Sequence, residues 1–193
     1  MIKLLFLSGS ARKDSTNKKL ARLAADIAEK EGAEVTYIDL KDFPMPIYDG
    51  DLETESGLPE KAIALKELFW AHDGFFIAAP EYNSSITPLL KNTLDWISRP
   101  HTENEESLSA YRNKVAALGA VAPGALGGLR GLVPLRMMLS NIMVHVVPAQ
   151  VAVASGFTAF EEDGTLKDEN LTKMLQNTIR QLVSTTQALK QNS

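Results

Sequence analysis

The chain has 193 residues, 45% of them hydrophobic and 23% charged, which is enough for one α/β domain with a full core and short for two. Twenty basic against 24 acidic residues leave a net charge of −4, and no basic run is longer than Lys18-Lys19, so a nucleic-acid partner is not expected. There is no cysteine, which removes thiolate catalysis, iron–sulfur ligation, Cys-ligated zinc and a protein disulfide couple; electrons, if they move here, need a bound cofactor. No apolar run approaches the ~20 residues of a membrane helix. Met1 leads directly into a hydrophobic strand, so neither a signal peptide nor a membrane partner is expected, and a cytoplasmic protein is.

The first strand, residues 4–7, is uniformly apolar, as a central parallel strand covered on both faces should be. It runs into a loop of small hydroxyl residues around Arg12, and an amphipathic helix follows with Leu20, Leu23, Ala24, Ile27 and Ala28 on one face, ending near Gly32. An anion placed at that helix's N-terminus would meet unpaired backbone N–H groups and the positive end of the macrodipole. Arg12 would add a bidentate contact, and Ser10, Ser15 and Asn17 short neutral donors. The plainer alternative is that Ser15 or Thr16 only caps the helix and Arg12 is solvated. Neither G-x-G-x-x-G nor G-x-x-x-x-G-K-[ST] occurs here, so the anion favoured is a monophosphate.

A second strand is expected at 35–38, with Asp39 at its end as a turn residue. Segment 43–57, rich in Pro, Asp and Glu, reads as a long surface loop, yet 43–48 is oddly apolar for one. Packing on its own domain and contact with a second subunit are both open for it. The next helix carries Ala62, Leu65 and Phe69 on one stripe, with Pro59 placed as its first helical residue. A third strand at 74–79 leads into a loop holding Tyr82 and Asn83, a flat apolar surface beside an amide that donates and accepts. A proline-initiated turn with an exposed tyrosine explains that loop equally well.

Thr87 and Pro88 then form a cap and first helical residue for a helix that buries Leu90, Leu94 and Ile97 and stops before Pro100. Segment 99–113 is charged and reads as surface loop. The fourth strand, 115–121, is followed by a loop with Gly124, Gly127 and Gly128, where bare backbone can approach a ligand or simply lead flexibly into a helix. That helix is expected over about 126–142, kinked or divided by Pro134. The fifth strand lies around 144–153. The last helix, roughly 169–189, has Leu171, Leu175, Thr178 and Leu182 on its buried stripe with Met174 and Ile179 beside them.

Alternation of strands with helices is the mark of a doubly wound parallel sheet, here one domain over residues 1–193. In such a sheet ligands bind beyond the carboxyl ends of the strands, so the loops 8–17, 80–85 and 122–128 should converge. Together they describe a phosphate at one end and a flat, polar-edged ring at the other, the shape of flavin mononucleotide (FMN). His72, His101 and His145 show no metal-ligand spacing, no metal site is expected, and no G-x-S-x-G elbow is present.

The motifs Gly9-Ser10-x-Arg12-x-x-Ser15-x-Asn17, Pro80-Glu81-Tyr82-Asn83, Lys91-Asn92-x-x-Asp95-Trp96 and Pro123-Gly124-x-x-Gly127-Gly128 resemble, in order and spacing, the NADPH-dependent FMN reductases, a family that includes quinone, chromate and azo-dye reductases. The resemblance runs from Lys3 to about Val147. It implies a flavodoxin-like fold with five parallel strands in the order 2-1-3-4-5, and FMN as cofactor with NADPH or NADH as donor. By the same resemblance, Ser10, Arg12, Ser15, Thr16 and Asn17 would hold the phosphate. Pro80, Glu81, Tyr82, Asn83 and Ser84 would line the ribityl chain and ring, and Pro123, Gly124 and Gly127 would approach the ring's other edge.

Lys91, Asn92, Asp95 and Trp96 are read as structural, and by the same resemblance their helix is expected at a subunit interface of a homodimer or homotetramer. The family pattern often has serines before the Pro-Gly, whereas this chain has Ala120 and Ala122, so a hydroxyl contact to the ring is missing there. The implied activity is ping-pong transfer from NADPH through FMN to a small acceptor such as a quinone, free flavin, chromate or azo compound. No protein acid or base is named, because the cofactor carries the chemistry. The competing readings are an FMN-binding electron carrier and a flavin sensor without NADPH turnover.

Overall fold

The computed structural model describes residues 1–191, and its centre is a five-stranded parallel sheet in the order β2-β1-β3-β4-β5. The elements are β1 (Lys3–Ser8), α1 (Thr16–Lys30), β2 (Glu34–Tyr37), α2 (Gly50–Ser56), α3 (Glu60–Ala71), β3 (Gly74–Ala78), α4 (Pro88–Ser98), β4 (Val115–Val121), α5 (Leu129–Asn141), β5 (His145–Val153) and α6 (Glu169–Gln191). The three inner strands are buried almost throughout, and the two outer ones are only partly covered. That is why β1, β3 and β4 are near-continuous apolar runs.

Side chains alternate across the sheet. Leu4 and Phe6 of β1 point into a core closed by α1 and α6, where Phe6 stacks on Phe76 with ring centres 5.8 Å apart. Leu5 and Leu7 point into the opposite core, closed by Leu65 and Phe69 of α3, Leu90 and Leu94 of α4, and Leu132 and Leu135 of α5. The pairing of β4 with β5 slips between Ala116 and Leu118, where β5 inserts two extra residues around Pro148. An edge strand tolerates a residue that cannot donate to the ladder.

Several local expectations change. Pro59 occupies the cap of α3 and not its first helical position. Pro134 lies inside α5 without dividing it, and α5 starts at Leu129 because Gly127 and Gly128 are both left-handed. Leu171, expected on the buried stripe of α6, is only partly buried, while Ile179 beside the stripe is fully buried and Met174 about half exposed.

Segment 43–57 is not all loop. Asp49 accepts a hydrogen bond from Asp51 N at 2.9 Å and caps α2. The apolar stretch before it packs on α4 of its own chain. Pro46 O accepts from Trp96 Nε1 at 2.7 Å and Asn92 Nδ2 at 2.8 Å, while Tyr48 N donates to Asn92 Oδ1 at 2.7 Å. The Tyr48 ring meets Trp96 edge-on at 5.0 Å. Trp96 and Asn92 are therefore spent inside the chain, which explains why those residue types sit together on α4.

Segment 99–113 is stapled down by a buried ion pair between Lys66 of α3 and Glu105. Glu105 also accepts from His101 N at 3.0 Å and Ser109 Oγ at 2.7 Å, and Trp70 stacks over His101. Burial opposes ionisation of Glu105, but the Lys66 ammonium and these donors outweigh it and bring its pKa down to about 2. The stability this group supplies is thus full above the ordinary carboxylate value of 4.5 and is lost as pH falls toward about 2. In acid denaturation, Glu105→Gln should flatten that part of the curve. Lys66→Met should lower the midpoint of urea unfolding at neutral pH by the equivalent of about 3–5 kcal/mol, because it strands a buried carboxylate; an unchanged midpoint contradicts the staple.

Candidate functional site

The loops after β1, β3 and β4 meet at the carboxyl edge of the sheet, as a doubly wound topology requires. They enclose a cleft of about 180 Å³, lined from the first loop by Ser10, Arg12, Ser15, Thr16 and Asn17. Pro80, Glu81 and Tyr82 line it from the second loop, and Pro123 from the third. An adjoining hollow of about 190 Å³ shares Glu81 and Ala122 with it and is lined by Gly124 and Gly127. Asn83 and Ser84 line neither.

At the first loop, Ser15 occupies the N-cap of α1 with extended backbone, yet its hydroxyl does not close the cap, and no acid stands in the helix's first turn. Ser10 and Ser15 are nonetheless buried. The Ser10 hydroxyl accepts from Arg12 N at 3.3 Å, and the Arg12 guanidinium is exposed with no hydrogen bond or ion pair among the described residues. An uncapped helix start, buried hydroxyls and an uncommitted guanidinium facing one cleft are the donor set for an oxyanion. Lys18 is not part of it, since its ammonium is drawn 2.5 Å from Asp39. Burial raises the Asp39 pKa, but the hydrogen bonds from Lys18 and Lys41 N prevail and lower it. Asp39 therefore caps its own turn and anchors α1.

Asn17 has another task than the one its motif suggests. Its Nδ2 donates to Val121 O at 2.8 Å and its Oδ1 accepts from Val121 N at 2.9 Å, both buried. The amide is committed to the last residue of β4 and ties the first loop to the third. Thr87 makes a comparable tie: its hydroxyl donates to Gly9 O at 2.7 Å and accepts from Leu90 N at 3.2 Å, joining the first loop to the start of α4.

The second loop is a tight hairpin. Tyr82 N donates to Ser85 O at 2.9 Å and Ser85 N donates back to Tyr82 O at 3.0 Å, with Asn83 (φ 51°) and Ser84 (φ 65°) both left-handed. This primed turn carries Asn83 and Ser84 outward and leaves Tyr82, 52% exposed, on the cleft. Glu81 accepts from Arg130 Nε and Gly131 N, each at 3.2 Å, so it fastens the hairpin to α5 and is not an open acid. In the third loop a Cβ on Gly127 would stand 2.6 Å from the Val153 carbonyl carbon, so that position admits only glycine, whereas Gly124 faces open space. Asp14, Val121 and Phe157 also line the cleft, without any motif marking them. The Ser-Gly pair just before Phe157 was the available signal that a fourth strand end turns there.

The family model described as NADPH-dependent FMN reductase matches residues 2–158 of the chain. The chain is 33% identical over 180 residues to an NAD(P)H:quinone oxidoreductase of Solanum tuberosum, covering 91% of this chain and 88% of that one. It is 30% identical over 182 residues to an NAD(P)H-dependent FMN reductase of Pseudomonas aeruginosa, covering 94% and 93% respectively. Among solved structures it resembles FerB, a flavoenzyme NAD(P)H:(acceptor) oxidoreductase from Paracoccus denitrificans, with a TM-score of 0.81, 26% identity and coverage of 97% and 98%.

Breaking the Asn17 tie leaves both buried backbone groups of Val121 without a partner. Asn17→Ala should cost about 2–4 kcal/mol of stability, counting about 1–2 for each abandoned group. Thermal and urea unfolding measure this, and a loss below about 0.5 kcal/mol would mean that water replaces the amide without penalty.

Proposed function

The chain belongs to the NADPH-dependent FMN reductase family, and on that premise we propose that its three-loop cleft holds FMN and serves NAD(P)H and a small oxidant in turn. It is an oxidoreductase that uses FMN as cofactor and NAD(P)H as electron donor. Bound FMN would supply the redox chemistry that links reduced nicotinamide to the oxidant. The protein's part is to bind, orient and set the electrostatics.

The observation that carries the assignment of the site is the start of α1. Its hydroxyl cap is open, Arg12 is uncommitted, and both face the cleft that Tyr82 lines from the other side. Arg12, Ser10, Ser15, Thr16 and the first N–H groups of α1 hold the FMN phosphate. Asn17 serves that site indirectly, by fixing α1 against Val121. The backbone of the hairpin 80–84, with the Pro80 and Tyr82 side chains, lines the sugar chain and ring on one side. Pro123, Gly124 and Gly127 present backbone on the other, with Ala122 offering no hydroxyl, while Ala120 is buried in the core beneath Gly128. Glu81 keeps the hairpin in place through Arg130 and Gly131.

No protein acid or base is assigned. Of the two acids lining the cleft, the Glu81 carboxylate is already engaged and Asp14 stands at the exposed phosphate end. A cleft open to solvent favours alternating use by donor and acceptor, hence a ping-pong cycle, and quinones suit an opening flanked by an aromatic ring. We also retain a homodimer or homotetramer as the assembly. Support comes from α5, where Leu129, Val133 and Met137 recur every four residues and stay exposed; light scattering reads the mass directly.

Arg12→Ala should leave the fold intact and weaken FMN binding by about 10- to 100-fold, the loss of a charge-assisted bidentate contact. Flavin fluorescence titration measures it. An unchanged dissociation constant would remove Arg12 from the phosphate site.

A further inference from the structure

The loop after β5 carries a side chain that the preceding assignment leaves unused. Phe157 is 78% exposed, yet it lines the same cleft as Arg12, Ser15 and Tyr82. A phenyl ring left in water on the wall of a cleft has apolar surface available for a ligand.

The backbone that carries it is firmly held. Residues 155–158 form a tight turn in which Thr158 N donates to Ser155 O at 2.9 Å, the Thr158 hydroxyl donates to the same oxygen at 3.2 Å, and Ser155 is left-handed at φ 51°. The turn is joined to the start of the third loop: Ala122 N donates to Val153 O at 3.1 Å and Gly156 N donates to Ala122 O at 3.1 Å. A Cβ on Gly156 would approach Val121 Cγ1 to 2.8 Å, so glycine is what allows the turn to lie against the end of β4. Val121 is also the residue gripped by Asn17. The platform under Phe157 is thus the same one that fixes the phosphate end of the cleft.

We propose that Phe157 is a fourth-loop wall of the cleft, which packs on an apolar part of bound FMN and slows its escape. This rests on the assignment of the cleft to FMN. The role differs in chemistry from that of Arg12. A phenyl ring has no charge and no hydrogen bond to give a phosphate, so it acts on the part of the ligand that FMN shares with riboflavin. Covering most of a phenylalanine side chain corresponds to about one to two orders of magnitude in a dissociation constant. Because the ring stacks on no aromatic side chain among the described residues and is 78% exposed, its removal should cost little stability.

The test is titration of FMN and of riboflavin into wild type, Phe157→Ala, Phe157→Tyr and Arg12→Ala, followed by flavin fluorescence, with stopped-flow dissociation for FMN. Phe157→Ala should weaken both flavins by a common factor of about tenfold or more, mostly through faster dissociation, with an unchanged melting temperature. Phe157→Tyr should restore tight binding, and Arg12→Ala should weaken FMN alone. Wild-type affinity for FMN in Phe157→Ala would overturn the inference. So would a variant whose mass in solution changes while its flavin affinity does not, since the ring would then be covered by a second copy. A wild-type protein that binds no FMN would instead overturn the reading of the cleft on which the inference rests.

Discussion

The reversal of strand order at β1 is the constraint from which the site follows. With β2 on one side of β1 and β3 on the other, the chain leaves β1 toward α1 on one face of the sheet and leaves β3 toward α4 on the opposite face. The two loops therefore diverge from neighbouring strand ends, and a crevice opens between them that no side chain of the core can fill. The third loop, from β4, closes the crevice at its far end. A helix N-terminus on one side and a hairpin on the other then become the natural places for an anion and a flat ring.

What makes this crevice a formed site is the set of ties between loops. Asn17 grips both backbone groups of Val121, Thr87 holds Gly9, Glu81 holds Gly131, and Gly156 bonds to Ala122. Each joins the loop of one strand to a neighbouring loop or helix start. A single bond of this kind is worth about 1 kcal/mol net, yet abandoning a buried partner costs more, so the set holds the loop bases far more firmly than any one of them suggests. The exposed members, Arg12, Tyr82 and Phe157, are then carried on fixed bases with their tips in solvent. Ligand binding need not order the backbone first, which limits the entropic cost of association.

Much of this was legible in the sequence, because it depends on local pattern. The apolar runs of the inner strands and the Thr87-Pro88 start of α4 state their role through residue type and spacing. Less legible are positions whose side chains are committed to partners far along the chain. Asn17 sits within a phosphate-loop motif, but its partner is 104 residues away. For residues 43–48 the sequence leaves packing on the same chain and contact with a second subunit both open, because the α4 residues that hold Pro46 and Tyr48 lie about 50 positions on, and Ile47 stays 85% exposed. α2 is seven residues long with no buried face, so no hydrophobic period announces it. Phe157 is hard to read for the opposite reason: Ser155-Gly156 before it signals a turn, but only the fold shows that this turn rests on the end of β4 and brings the ring to the cleft.

Function here depends on NADPH reducing FMN held in the three-loop cleft. An anaerobic absorbance titration of the FMN-reconstituted protein with NADPH tests this most directly, followed by addition of a quinone in the same cuvette. Rapid bleaching of the flavin bands by NADPH, and their return on adding the quinone, is the predicted result. A flavin that binds without bleaching, or a protein that binds no flavin, would contradict it.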